Sequence, residues 1–393
     1  MNEASADSVA LLRELVGFAT ISRESNRALI DRVAERLADA GARVRVRPGA
    51  VPGKSNLFAS VGPEAEDGIV LSAHSDVVPV DGQSWSSDPF VLTERDEKLL
   101  ARGAADMKGF LACALAAMVR AAHGGLRRPL HLALSHDEEI GCVGVRPMLA
   151  TLAAEGFRAA GCVVGEPTGL AVATGHKGKV SGRILCLGEA GHSADPARGC
   201  NAINLAAAMV RETEALQARL AAEGARDESY AVPHSTVHVG TISGGTALNV
   251  IPDRCEMAFE MRLLPGDEAA ALLALLRAAG ERQVAPARAR GRSASIEVAV
   301  ENAYPGLAMP EGDDFVTRAL GWAGGHRIGG LGFGAEAGLF REVLGLACVV
   351  CGPGEIERAH RADEYVTCSE LAACDKFLSR VVASLSETRH PSL

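Results

Sequence analysis

An α/β fold with a separate α+β module inserted into it is what the sequence predicts, and three observations carry that prediction. Short apolar runs of strand length alternate with helix-length segments before Gly178 and resume near the C-terminus. Between them the order of elements becomes βαββαβ, the split ferredoxin-like arrangement. Four of the outer runs end in an acid or a histidine, and open α/β sheets bind ligands at the carboxyl edge of their strands. The expected organisation is one body from residues 1–177 and 299–393, with 178–298 inserted into it.

Taken in order, Ser8 to Phe18 reads as an amphipathic opening helix. Asn26 to Ala40 (NRALIDRVAERLADA) repeats its apolar residues at three- and four-residue spacing and closes on Gly41. Val44 to Val46, Asn56 to Val61 and Ile69 to Leu71 read as strands, too short and too β-branched for helices. Asp81 to Ala101 is a polar excursion over the surface. RGAADMKGFLACALAAMVRAA then places Asp106 between two glycines ahead of a long apolar helix. Pro129 to Ser135, Cys162 to Gly165 and Ala347 to Cys351 are further buried strands. Inside the insertion, strands are expected at Lys179–Leu187, Thr236–Ile242, Arg254–Leu263 and Ser293–Val300, with helices at Asn201–Ala222 and Asp267–Arg282.

Composition narrows the function classes. The chain has 393 residues, 48% of them hydrophobic, which suffices for two or three domains whose core is stable without staples. A formal net charge of −9 argues against nucleic acid as a partner, and the arginine-rich stretch from Ala285 to Arg292 is short enough to be a solvated loop. Ten cysteines lie scattered, mostly inside apolar runs, as reduced core residues of a cytoplasmic protein would. Cys348 and Cys351 form a C-x-x-C, but inside LACVVCG, which reads as a buried strand. The first residues carry acids and no basic n-region, so no secretory leader is expected, and no run reaches the ~18 apolar residues of a membrane span.

The chemistry sits at the strand ends. SAHSDVVP delivers His74 and, two residues on, Asp76; a zinc-binding imidazole needs an acceptor for its second N–H, and that carboxylate can supply it. Asp106 is either a helix N-cap or a metal ligand. In HDEE, adjacent Glu138 and Glu139 point in different directions, so one can bind metal while the other faces a water. Glu166 follows a third strand and His360 a fourth. Two histidines and three carboxylates are the inventory for two divalent ions sharing one bridging carboxylate. His192, in the turn GEAGHSADPARG, is either a structural histidine capping that turn or a site residue. A cocatalytic phosphatase or nuclease would need basic residues around these motifs, and none flank them.

SAHSDVVP (72–79), RGAADMKG (102–109), HDEE (136–139), GEPT (165–168) and GHSADP (191–196) together resemble the dinuclear zinc amidohydrolases and peptidases of the M20 family over nearly the full length. HKG (176–178), GHSADPARGCNAI (191–203), MRLLPG (261–266) and GPGEIERAHRADEY (352–365) draw the resemblance toward its amino-acid deacetylases. The resemblance implies a zinc-peptidase-like catalytic domain, a mixed sheet flanked by helices, with the insertion acting as lid and dimerisation domain. It implies two Zn2+, with Co2+ as an alternative, and a small N-acyl amino acid as substrate. By motif, His74 and His360 would bind one ion each, Asp106 would bridge them, and Glu139 and Glu166 would complete the shells. Glu138 would be the general base, Asp76 would orient His74, and His192 would help hold the developing oxyanion. Asn249 and Arg262 are similar to residues that meet the substrate's carboxylate, and Glu336 is expected to meet a side-chain ammonium. The segment around Glu336 reads GAEAGLF, with Ala335 where those deacetylases often carry Thr.

Overall fold

The computed structural model describes residues 6–386. They form two compact units: one comprises the chain to Gly175, Leu307–Gly329 and Ala335 onward, the other His176–Gly306 and Gly330–Gly334. The boundary expected at 298 falls inside the strand Ser295–Tyr304, which pairs along Gly178–Leu187.

The first unit is built on an eight-stranded sheet in the order Arg43–Pro48, Ser55–Val61, Leu130–Ser135, Ile69–His74, Gly161–Pro167, Cys348–Gly352, Val172–Ala173, Arg327–Ile328. Its four central strands are mutually parallel and buried at every residue. Burial on both faces explains why they read as unbroken apolar runs. The outer pair Arg43–Pro48 and Ser55–Val61 runs antiparallel, so the sheet is mixed. Helix Gly109–Ala122 is apolar nearly all round because it lies between the sheet and helices Ala6–Val16 and Cys368–Ser386. Its Phe110 ring packs so closely on Gly165 that a Cβ there would fall 2.0 Å from the ring.

Local sequence accounts for the rest. Helix Arg27–Asp39 buries Leu29, Ile30, Val33 and Leu37, and Gly41 ends it at φ 89° with the Ala42 N–H donating to Leu37 O. The polar excursion at 81–101 contains an unexpected hairpin, Thr93–Arg95 against Lys98–Leu100, joined to Tyr365–Thr367. Its turn places Asp96 and Glu97 at positive φ without the glycine that usually announces such a turn.

The second unit is a four-stranded antiparallel sheet ordered Thr236–Gly244, Arg254–Leu263, Gly178–Leu187, Ser295–Tyr304, the ferredoxin-like order. Alternate residues of Arg254–Leu263 point into a core with Val180, Ile184, Met209, Leu276 and Val284. Asn201 caps helix Ala202–Glu223 by accepting from Ile203 N and Asn204 N. Helix Ala269–Ala289 continues past the expected end at Arg282 and contains Pro286. Among the described residues no helix is long and apolar enough to cross a membrane. All ten cysteines are unpaired.

Candidate metal centre

His74 is the last residue of its strand, fully within the protein, and its Nδ1 lies 2.9 Å from the Asp76 main-chain oxygen and 3.5 Å from the Asp76 carboxylate. The nearer acceptor is the carbonyl, with the side chain the sequence suggested also beside the ring. The Asp76 carboxylate also accepts from Ser22 Oγ (2.8 Å) and from the N–H groups of Glu138 and Glu139 (3.1 and 3.3 Å), so it fixes the turn carrying those acids. Asp137, at φ 54° in the same turn, is gripped by Lys54 Nζ (2.8 Å) and Arg23 N (2.9 Å).

Asp106 does not cap the following helix: it lies at φ −123°, ψ 92° inside the wide turn Ala104–Lys108, and Lys108 occupies the cap. Its two oxygens face different histidines, Oδ1 at 3.1 Å from His74 Nε2 and Oδ2 at 3.2 Å from His360 Nε2. Glu139 Oε2 stands 3.0 Å from His360 Nε2 and Glu166 Oε1 3.8 Å from His74 Nε2. Donor atoms of His74, Asp106 and Glu139 lie within 4.8 Å of one another, as do those of His74, Glu138 and Glu166. Side chains from residues 74 to 360 thereby meet at the carboxyl edge of four parallel strands.

Electrostatics shows what such a cluster needs. Burial pushes Glu138 up to about 8, with His74 opposing and Glu139, Glu336 and Asp106 adding to the rise. Burial and then the Asp106 charge raise Glu139 to about 7, and the same two causes carry Glu166 well above the carboxylate range. Asp106 resists its own burial because it accepts from His360 and His74, which hold it low. His360 rises to about 10 on its contacts with Asp106 and Glu139. Glu166 Oε1 is buried with no hydrogen-bond partner. Crowded buried carboxylates, an orphaned carboxylate oxygen and two imidazoles are what divalent cations satisfy, and nitrogen–oxygen donors of this kind suit zinc or cobalt.

Glu336 requires a correction. Only 2% of it is exposed, and its oxygens accept from Ser135 Oγ (2.6 Å) and Ser72 Oγ (3.1 Å), so it is not free to meet a substrate ammonium. It joins the ends of two neighbouring strands instead. The remaining expected residues belong to the second unit. His192, on Gly191–His192, pairs with Val250 next to Asn249, and its Nδ1 accepts from Ala194 N (3.1 Å), the turn-capping geometry. Arg262 is engaged by Glu260 at 2.6 Å.

Comparison with known proteins gives concordant results. A family model described as peptidase family M20/M25/M40 matches residues 70–384. An acetylornithine deacetylase of Yersinia pseudotuberculosis is 34% identical over 389 residues, 95% of this chain and 96% of that protein. Among solved structures, an M20 family metallo-carboxypeptidase from Sulfolobus solfataricus superimposes with a TM-score of 0.77 at 19% identity, covering 97% of this chain and 99% of the other. A Bacillus subtilis protein described as a dinuclear metal binding peptidase from M20 family gives 0.65 at 16% identity, over 96% and 97%.

Proposed function

From the premise that the chain belongs to peptidase family M20/M25/M40 and is an amide-hydrolysing enzyme, we propose that it removes the acetyl group of N2-acetyl-L-ornithine, giving L-ornithine and acetate. The observation that carries the chemistry is the pair of Asp106 oxygens, each facing its own histidine. The substrate rests on the Yersinia deacetylase, matched over nearly the whole of both chains.

His74 with Glu166, and His360 with Glu139, would each hold one ion, zinc or alternatively cobalt, with Asp106 between them. Such ions, when bound, polarise the amide carbonyl and lower the pKa of a water from ~15.7 toward ~7. Glu138 takes the proton of that attacking water and passes it to the leaving amine. Cys142 Sγ at 3.2 Å from Oε1 holds the carboxyl in place. His192 steadies the developing oxyanion, and Asn249 and Arg262 meet the α-carboxylate, for which a planar guanidinium is apt. We also propose a cytoplasmic homodimer formed through the second unit; the unpaired cysteines support the compartment.

The alternative is another acyl group on the same centre, as in succinyl-diaminopimelate desuccinylase or a broad N-acyl-amino-acid deacylase. A panel of acetylornithine, succinyl-diaminopimelate and acetylmethionine separates them. Acetylornithine should lead in kcat/KM by at least about tenfold; parity, or preference for the succinyl substrate, overturns the assignment.

A further inference from the structure

We propose that the buried Arg102–Glu364 pair is the positioning device of the centre, setting the bridging Asp106 and the loop of His360 against each other as one unit. The proposal rests on reading the cluster as a two-ion site. Both side chains are 1% exposed and pair at 2.6 Å between Nη1 and Oε2. The other Glu364 oxygen accepts from two consecutive backbone N–H groups, Ala105 at 2.9 Å and Asp106 at 3.1 Å. Those groups need it, because the Ala104–Lys108 turn has non-helical angles at Asp106 and Met107 and lacks a regular ladder there. The direction in which Asp106 projects therefore depends on Glu364.

Arg102 carries the connection to His360. Its guanidinium donates to Arg361 O (3.2 Å) and Gln83 Oε1 (2.6 Å), and Gln83 Nε2 donates to His360 O (3.2 Å). The Trp85 ring covers the guanidinium at 5.0 Å. His360 lies at φ 61°, a left-handed conformation that a non-glycine residue keeps only where its surroundings hold it. Here the carbonyls of residues 360 and 361 are held by Gln83 and Arg102. One charged pair thus restrains two ligands far apart in the chain. Neither side chain touches the reacting atoms, so their action passes through Asp106 and His360.

The test is a titration of the chelator-stripped full chain with cobalt(II), read by stoichiometry and by the visible absorption of the bound ion. The parent protein should take up two ions per chain. Glu364→Gln and Arg102→Met should weaken the second ion by roughly 10- to 100-fold and shift the absorption bands. Gln83→Leu, at a half-buried position and with the buried pair kept, should weaken one ion by a smaller factor in a folded protein, so the proposal stays testable if the buried variants fail to fold. Unchanged affinities and spectra in Gln83→Leu and in whichever buried variant folds overturn this proposal alone. A parent protein that takes up no cobalt overturns the two-ion reading beneath it.

Discussion

The two histidines proposed to hold the ions stand in different surroundings. The side chain of His74 is 1% exposed, the terminus of a central parallel strand, with its Nδ1 against a backbone carbonyl. That of His360 is 50% exposed, on a loop in a left-handed conformation. One half of the centre is therefore built by the sheet and the other by a loop, and Asp106 is the element they share. The difference teaches that residues gathered into one cluster need not be equally accessible: the half made by the loop is the one open to solvent.

Breaking the shared element should have the largest effect. Asp106→Asn removes the charge facing both histidines, so metal analysis should find both ions lost and turnover down by roughly 10⁴-fold or more; retention of one tightly held ion would mean the halves are independent. Glu138→Gln should keep both ions while kcat falls by about 10²- to 10⁴-fold, and normal turnover would remove the base assignment. Third, His360→Ala should cost one ion with little change in urea unfolding. His74→Ala should lose its ion and about 1–3 kcal/mol of stability, because it leaves buried polar groups unpaired. Equal stabilities for the two would erase the contrast. Fourth, Glu336→Ala strands the Ser72 and Ser135 hydroxyls beneath the buried half, at about 1–3 kcal/mol in the same unfolding assay. The smallest effect separates the centre from the rest of the sheet. Burial, with Arg43 and Arg45 nearby, pushes His131 down to about 4. Unfolded, it titrates near ~6.5, so as pH falls from there the unfolded chain takes the proton first and stability is lost until the folded value is reached. His131→Gln should flatten that slope; an unchanged slope assigns the acid sensitivity to other groups.

These residues also show how far the chain could be read before folding. His74, Asp106, Glu139, Glu166 and His360 were legible because each follows a strand or precedes a helix with a strong pattern, and one sheet edge gathers such positions. What was not legible was direction. The Asp76 carboxylate was expected beside His74; that it also holds the Glu138–Glu139 turn is a contact that a two-residue spacing does not announce. Glu336 was expected at a substrate and lies beneath the sheet ends, because the serines that donate to it are 264 and 201 residues away in the chain. Glu364 acts through backbone N–H groups, which carry no sequence signature. The hairpin at Thr93–Leu100 was missed because its turn is Asp96-Glu97.

The contact between Gly165 and the Phe110 ring reaches further than packing. Glu166 is the very next residue, so even one added methyl would act as a wedge at the root of a ligand and tilt it from its seat. Anyone retuning this scaffold for a new substrate by random diversification will find that position closed.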